Sequence, residues 1–258
     1  MYDVAIFAAL GWEARAVIQG LSGVEEGGRP RTWRGYLGDG ASCLLVQTGI
    51  GPRRARAVAE AMPPARLMLA AGCAGGLDPA LRAGDVVLAS AVVCLDERGR
   101  PGDRFPAAAP AVSAWAAARG LAARTGPVAS SPTVLATAAG KAQAAASGAL
   151  AVDMESGAVA AVARARGVPF VGLRVVLDAA GEAVSIGDGV IDEETGEIRP
   201  GRAVTAVALR PDRWPVALRL ARQQAAVERR LRAVAAMLLG GGLDALGIGP
   251  ADALAASR

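Results

Sequence analysis

The sequence of 258 residues contains no histidine, a single lysine, three cysteines and only 3% aromatic residues. Without histidine there is no Ser-His-Asp triad, no Cys-His pair and no His-ligated zinc. The cysteines Cys43, Cys73 and Cys94 form no CxxC pair, which predicts buried reduced thiols rather than a redox or metal site. Acid–base chemistry is left to carboxylates, tyrosine, cysteine and Lys141, and we expect no metal and no organic cofactor.

Long apolar runs and targeting signals are also lacking. No stretch reaches the ~18 consecutive apolar residues that a membrane span requires. The first apolar segment has no basic region before it, so it does not look like a signal peptide. These absences predict a cytoplasmic protein.

What the chain does have is apolar content and glycine. Hydrophobic residues make up 53% of it, and many of the 33 glycines lie in short clusters beside apolar runs. Short apolar runs alternate with helical patterns, which favours one α/β domain with a largely parallel sheet. The predicted strands are 3–10, 42–48, 67–71, 85–93, 150–152 and 168–177. The predicted helices are 12–20, 53–62, 111–124, 137–147, 154–166 and 215–239, with a hairpin at 27–40 and loops at 95–110 and 181–201.

Two glycine clusters follow predicted strands, where the ligand crevice of a parallel sheet lies. Residues 49–51 (GIG) do not complete a GxGxxG dinucleotide motif, because Arg54 stands at the third glycine position. They form either a tight turn that packs the next helix or a phosphate site at the helix start. Residues 72–76 (GCAGG) are either a plain turn or a turn that brings backbone N–H groups close to a ligand.

Carboxylates also follow the predicted strands. Asp153 and Glu155 stand at a helix start, where they either cap the helix or direct a carboxylate into the crevice. An ionised Glu155 there could accept hydrogen bonds from two sugar hydroxyls. Asp178 ends an apolar strand, where burial would raise its pKa and make it a proton donor, unless it is a capping or loop residue. Glu13 is either a base toward water or an exposed residue of the first helical turn.

Together these segments resemble the nucleoside phosphorylase/nucleosidase superfamily. The motifs that carry the resemblance occur in the family's order: 9–13 (ALGWE), 46–51 (VQTGIG), 72–77 (GCAGGL) with 84–87 (GDVV), 151–156 (AVDMES) and 174–178 (RVVLD). The resemblance implies a phosphorylase/hydrolase-like fold, a single-domain three-layer αβα sandwich with a mixed, mostly parallel central sheet. It covers about residues 4–182, and the whole domain is expected to span 1–239.

The resemblance also implies roles for individual residues. Asp178 would protonate the purine leaving group at N7, and Glu13 would orient the attacking water. Glu155 would bind the ribose hydroxyls while Met154 packs on the sugar. The base and ribose would be lined by Cys73, Ala74 and Gly75, and the backbone of Val134 and Leu135 would read the base. The phosphorylases carry a phosphate-binding Arg just before the Gly-rich turn, but residues 67–71 contain none, which favours water over inorganic phosphate as the nucleophile.

The C-terminal third is strongly basic. Residues 199–235 contain nine arginines against Asp212 and Glu228. Segments 188–192 and 209–218 resemble the hopanoid-associated phosphorylases, which implies adenosylhopane as a lipid-linked substrate. The apolar stripe of the last helix consists of Val216, Leu220, Val227, Leu231, Val234 and Leu238. That helix either packs against the domain or a dimer partner, or lies on an anionic membrane at its inner face.

The leading hypothesis is an enzyme that cleaves the N-ribosyl bond of an adenine nucleoside. A soluble methylthioadenosine/S-adenosylhomocysteine nucleosidase and a nucleoside-binding module without turnover remain open. Nucleic-acid binding is disfavoured by the scarcity of aromatic residues. From the resemblance we expect a homodimer, and from composition a flexible tail over 240–258.

Overall fold

The computed structural model describes residues 1–182 and 214–249, with the backbone alone for 214–220. Within these residues, ten strands and seven helices follow one another along the chain. The strands are β1 (Tyr2–Ala8), β2 (Ser22–Glu26), β3 (Thr32–Tyr36), β4 (Ser42–Gln47), β5 (Ala65–Gly76), β6 (Val86–Leu95), β7 (Pro101–Pro106), β8 (Ala123–Ser130), β9 (Ala151–Asp153) and β10 (Phe170–Asp178). The helices are α1 (Gly11–Ile18), α2 (Pro52–Ala61), α3 (Ala109–Ala117), α4 (Ala138–Ala145), α5 (Ser156–Ala165), α6 (Trp214–Gly240) and α7 (Gly242–Ala245).

The centre of the sheet is parallel. Strand β1 lies between β4 and β5, and β10 continues the parallel order on the far side of β5. These strands are mostly apolar, as expected for strands whose two faces are both covered by helices. The register aligns Asp178, at the end of β10, with Gly75 near the end of β5. The carboxyl ends of β1, β5 and β10 therefore meet at one edge of the sheet.

Helices on both faces make the structure three-layered. One buried cluster joins alternate residues of the central strands, such as Ile6 and Leu69, to α1, α3 and α6. The other joins the intervening residues, such as Phe7 and Met68, to α2 and α5. This alternation follows from the period of two along a strand. The expected mixed α/β fold is confirmed.

Five strands also close into a ring, in which β5, β10, β6, β8 and β9 pair in turn. Small and β-branched side chains fill its interior, among them Ala74, Val87, Val128, Ala151 and Val176. The ring places β9, which carries Asp153, beside the ends of β5 and β8. It therefore brings a fourth strand end to the edge where β5 and β10 finish.

The glycine-rich segment 72–76 was expected to be a turn, and this expectation was wrong. The segment continues β5 as a strand to Gly76. Its backbone pairs with β10 on one side and with β9 on the other, so tertiary pairing overrides the low strand propensity of glycine. Cys73 and Ala74 thus reach the ligand crevice on a strand rather than on a loop.

The segment from 95 to 130 also departs from the expectation. The predicted loop 95–110 contains β7, an exposed edge strand bounded by prolines, which an edge tolerates. The predicted helix 111–124 ends at Ala117, because Gly120 adopts a positive φ of 77° and terminates it. Strand β8 follows. The sequence did not predict it, because Gly126 and Pro127 are residue types that are uncommon in the interior of a strand.

The C-terminal helix α6 packs against the domain in its described part. Val227, Leu231, Val234 and Leu238 are buried in the core cluster that contains α1. The described part of the apolar stripe is therefore not available to lie on a membrane. Val216 and Leu220 fall where only the backbone is described, and no helix among the described residues is long and apolar enough to span a bilayer.

The expectation of a flexible tail from Gly240 was wrong for the described residues. Leu246 and Ile248 are buried in the same core as α6, and α7 lies between them and that helix. The Leu243 N–H donates to Asp39 Oδ2 at 2.8 Å, which ties the segment to the turn after β3. Apolar burial and this bond hold the chain down to residue 249, and residues 250–258 lie outside the described part.

Candidate active site

A cavity of about 190 Å³ opens at the carboxyl ends of β1, β5, β9 and β10. Its wall includes every residue that the sequence nominated for the site: Glu13, Cys73, Ala74, Gly75, Val134, Leu135, Met154, Glu155 and Asp178. Asp153, Lys141, Ile50, Thr133 and Leu177 line it as well. The structure thus brings together residues that are up to 165 positions apart in the chain.

Glu13 lies in the first turn of α1 and is 2% exposed, so it is not a surface residue. Its Oε2 accepts the N–H groups of Ala9 and Leu10 at 3.0 and 2.9 Å, and its Oε1 accepts the Cys73 N–H at 2.8 Å. A carboxylate offers about four acceptor positions. These three bonds and a hydrogen bond with the Cys73 thiol engage it, and the side chain also lines the cavity, where a water molecule or a ligand can approach it.

Gly72 makes room for this arrangement. A Cβ atom at Gly72 would lie 2.6 Å from Glu13 Oε1, closer than real contacts allow. The glycine of β5 thus allows a carboxylate from α1 to approach the sheet backbone. This is a positive reason for a glycine in the middle of the crevice.

Glu155 faces the cavity instead of capping its own helix. It occupies the N-cap position of α5, makes no side-chain capping bond, and accepts the Gly51 N–H at 2.7 Å through Oε1. Burial, followed by the charge of Asp153, raises the pKa of Glu155 to about 8, although the Gly51 bond and Arg174 lower it in part. The capping task falls to Asp153, whose carboxylate accepts the Ser156 N–H at 3.2 Å.

Asp153 is also half of a buried ion pair. Arg174 of β10 donates from Nε to Asp153 Oδ2 at 2.6 Å and from Nη2 to Ser156 Oγ at 2.8 Å. Both side chains are at most 4% exposed. The pair joins β10 to the start of α5 and fixes the backbone that carries Met154 and Glu155.

Asp178 ends β10 as expected and is 6% exposed. The pKa of its carboxyl group is raised above the usual value by burial, although a hydrogen bond from Lys141 and the lysine's charge lower it in part. Lys141, on α4, is itself 2% exposed and forms an ion pair with Asp178 Oδ2. Sequence reasoning did not assign Lys141 to the site, and its only signal was being the single lysine of the chain.

The remaining wall of the cavity is mostly apolar. Val134 and Leu135 belong to the segment between β8 and α4, which the Ser131 N–H anchors to the carbonyl of Asp153 at 2.8 Å. Opposite them, Cys73 carries a thiol whose pKa is raised well above its usual value by burial and by the nearby Glu13. The thiol is therefore neutral and is part of the wall rather than a nucleophile.

Two of the N–H groups just before α2 are already engaged within the protein. The Gly51 N–H is occupied by Glu155, and the Gly49 N–H donates to the carbonyl of Ala9 at 3.1 Å. Arg66 lies at the beginning of β5, where it pairs with Asp3 at 3.0 Å. Among the described residues, four carboxylates and one cation, Lys141, line the cavity, so this part of its wall favours neutral or cationic ligands over phosphate.

The chain is similar to a known protein family and to solved structures. A family model described as the phosphorylase superfamily matches residues 3–208. No curated protein matched the sequence with significant similarity.

Solved structures with a similar fold include two nucleosidases and a hydrolase. One is the 5'-methylthioadenosine/S-adenosylhomocysteine nucleosidase from Neisseria meningitidis, at 20% identity and a TM-score of 0.67, covering 92% of this chain and 99% of that one. Another is the nucleosidase from Colwellia psychrerythraea 34H in complex with adenine, at 25% identity and 0.61, covering 70% and 84%. A futalosine hydrolase mutant from Helicobacter pylori matches at 20% identity and 0.60, covering 68% and 89%.

Proposed function

The chain belongs to the phosphorylase superfamily, and on this premise we propose that it hydrolyses the N-ribosyl bond of an adenine nucleoside and releases adenine. The observation that carries the proposal is the convergence of Asp178, Glu155 and Glu13 on one cavity at the strand ends. A proton donor, a ligand for a diol and an acceptor for water are the groups that this reaction needs. The names of the solved structures with this fold, which include two nucleosidases and a hydrolase, support the same reaction class.

In the proposed reaction the bond between ribose C1' and purine N9 breaks, and its electron pair goes to the purine. Protonated Asp178 gives its proton to N7, so the base leaves as neutral adenine. Glu155 accepts hydrogen bonds from the ribose hydroxyls and keeps the sugar in place. The oxygen of a water held by Glu13 adds to the cationic C1', and the water gives up one proton to Glu13 or to solvent.

The charges of the cavity wall favour water over inorganic phosphate as the nucleophile. Inorganic phosphate would have to enter a cavity lined by Glu13, Asp153, Glu155 and Asp178. Arg174, which lies beside Asp153, already donates hydrogen bonds to Asp153 and Ser156. Hydrolysis therefore needs no group beyond those in the wall, whereas phosphorolysis would need a cation that the described residues do not direct into the cavity.

As the substrate we propose adenosylhopane, a lipid-linked adenine nucleoside, on the strength of the resemblance of segments 188–192 and 209–218. Residues 183–213 lie outside the described part of the chain. Contact with a membrane would have to use charge, since Arg222, Arg229 and Arg232 are exposed on α6 while its apolar side chains from Val227 onward are buried. A homodimer is proposed on the resemblance alone.

The test is adenine release from a substrate panel, measured by chromatography with and without inorganic phosphate. The panel contains adenosylhopane in detergent, methylthioadenosine, S-adenosylhomocysteine and adenosine. Release that does not depend on phosphate supports hydrolysis, and release from adenosylhopane alone supports the lipid-linked substrate. Release from methylthioadenosine instead would identify a soluble nucleosidase. A folded protein that binds these nucleosides but releases no base would be a binding module, and the proposal would be wrong.

A further inference from the structure

Lys141 is a fully engaged ammonium group in a place where a lysine is costly to bury. Besides its ion pair with Asp178, its Nζ donates to the carbonyl of Ala179 at 2.8 Å and to the carbonyl of Glu182 at 2.9 Å. These are three acceptors for its three protons. A buried charge with so complete a set of partners is held in one position.

The geometry leaves the two oxygens of Asp178 in different situations. Oδ2 faces the ammonium group, while Oδ1 has no hydrogen-bond partner among the described residues, and the side chain lines the cavity. Gly75 lies against both partners, since a Cβ there would be 3.4 Å from Asp178 Oδ2 and 3.6 Å from Lys141 Cε. The lysine thus orients the carboxyl group with one oxygen toward α4.

The other charges around the pair are acidic. Glu182, whose Oε2 accepts the Ala179 N–H at 3.2 Å, follows in the same turn, and Glu13, Asp153 and Glu155 lie across the cavity. Burial disfavours a negative charge on Asp178, and so does the nearby charge of Glu182. Lys141 is the only cation among the described residues that lines the cavity. It is therefore the group that opposes all of these effects.

Resting on the function proposed above, we propose that Lys141 is a positioning residue that keeps Asp178 ionised in the ligand-free site, so that the acid takes up its proton together with the purine base. On binding, one proton from solvent adds to Asp178, whose carboxyl group then donates to purine N7. The ammonium of Lys141 keeps its three protons throughout. When the base leaves with the proton at N7, Asp178 returns to the carboxylate that pairs with Lys141.

A titration of the ligand-free protein tests the lysine without any substrate. The carboxyl carbon of Asp178 is followed by NMR in protein labelled with 13C-aspartate, and Asp178→Asn identifies its signal. With Lys141→Met we expect the titration of Asp178 to move upward by about one pH unit or more, the effect of losing an opposite charge at contact distance. With Lys141→Arg, which keeps the charge, it should stay near that of the wild type. An unchanged or lower midpoint in Lys141→Met would overturn the proposal.

A second measurement uses the unaltered protein, in case Lys141→Met does not fold. Calorimetry in buffers of different ionisation enthalpy counts the protons taken up on binding at pH 7.5. We expect about one more proton to be taken up with carbocyclic adenosine, which keeps N7 as an acceptor but resists cleavage, than with carbocyclic 7-deazaadenosine, which has no N7 to receive a proton. Equal uptake with both ligands would overturn the proposal.

The two proposals fail in different ways. If Asp178 titrates as expected but no substrate releases adenine, the proposed function is wrong, while the proposal that Lys141 keeps Asp178 ionised stands. If adenine is released but neither the titration nor the proton count depends on Lys141 and N7, the function stands and this inference fails. In active protein, Lys141→Met should also move the alkaline limb of kcat/KM to higher pH, because Asp178 must be protonated to act.

Discussion

Four carboxylates of the described residues lie around one small cavity, and the hydrogen-bond and ion-pair partners of each one determine its role. Asp153 is paired with Arg174 and caps α5, whereas Glu13 accepts three backbone N–H groups and lines the cavity. Glu155 and Asp178 each have one oxygen engaged by a donor of the protein. The residue type alone cannot distinguish these cases, because each depends on donors from a distant strand or helix.

Replacing Asp178 by Asn should lower kcat for adenine release by about 10²–10⁴-fold, the usual contribution of general acid catalysis, and leave KM within a few-fold. The amide keeps the shape of the carboxyl group but has no acidic proton for N7. Steady-state kinetics of the variant give the answer. A loss of binding without loss of kcat would show that Asp178 holds the base rather than protonating it.

The raised pKa of Glu155 predicts a pH-dependent affinity. The group is neutral below about pH 8 and ionised above it, and a carboxylate accepts two hydroxyl groups better than a neutral carboxyl does. Affinity for 7-deazaadenosine should therefore rise between pH 6 and pH 9. This ligand has both ribose hydroxyls but no N7, so Asp178 does not enter the measurement.

Two controls isolate Glu155 in that titration. The variant Glu155→Gln should bind weakly with no rise over the same pH range, and 2',3'-dideoxy-7-deazaadenosine should show no rise with the wild type. A rise that persists in either control would mean that another group titrates.

At the scale of elements, the site depends on strand ends and helix starts that are fixed to one another. The Arg174–Asp153 pair joins β10 to β9 and to the start of α5, with both side chains buried. The Gly51 N–H joins the start of α2 to Glu155. Elements that are distant in sequence thus act as one frame around the cavity.

Replacing Arg174 by Met should destabilise the protein by about 3–5 kcal/mol, since it leaves Asp153 buried without its cation. Denaturant unfolding measures the loss. The exposed pair Arg100–Asp96 provides a matched control, because Arg100→Met should change the free energy of unfolding by less than about 1 kcal/mol. Equal effects of the two changes would mean that the buried pair contributes little.

Gly51→Ala should both strain the backbone and weaken ribose binding. Gly51 has a φ of 99°, which side-chain-bearing residues rarely adopt, and its N–H holds Glu155. We expect a loss of about 1–3 kcal/mol in stability and a higher Kd for 7-deazaadenosine. Gly40→Ala is the control, because Gly40 has a φ of 83° in an exposed turn after β3. It should cost similar stability and leave Kd unchanged.

At the scale of the whole molecule, one core unites the two ends of the described chain. Val4 and Ile6 near the N-terminus share a buried cluster with Leu238, Leu246 and Ile248. The last helices therefore belong to the domain that holds the site, and α6 is a covering layer of the sheet rather than an appendage.

Leu246→Ala should accordingly cost about 2–5 kcal/mol in the free energy of unfolding, because a fully buried side chain is removed from a packed core. Thermal or denaturant unfolding checks this. Asp244→Ala, an exposed neighbour, is expected to stay close to the wild type. A negligible effect at Leu246 would return the segment to the flexible tail that the sequence suggested.

Most of the α/β order could be predicted because its signals are local. Buried strands such as β1 and β10 are continuous apolar runs, and Pro52 marks the start of α2. The errors fell where a local signal was opposed by distant pairing: 72–76 in β5, and β8 with its Gly126 and Pro127. A strand with such residues exists only because its neighbours supply the hydrogen bonds.

The sequence by itself determined the α/β class, the family and the positions of the candidate site, since strand periodicity, turn chemistry and ordered motifs are encoded in neighbouring residues. Only the tertiary structure decided which carboxylate does what. It placed Arg174 on Asp153, the Gly51 N–H on Glu155 and the buried Lys141 on Asp178. The protonation of a buried acid depends on the charges and donors around it, and these come together only when the sheet and its helices have packed.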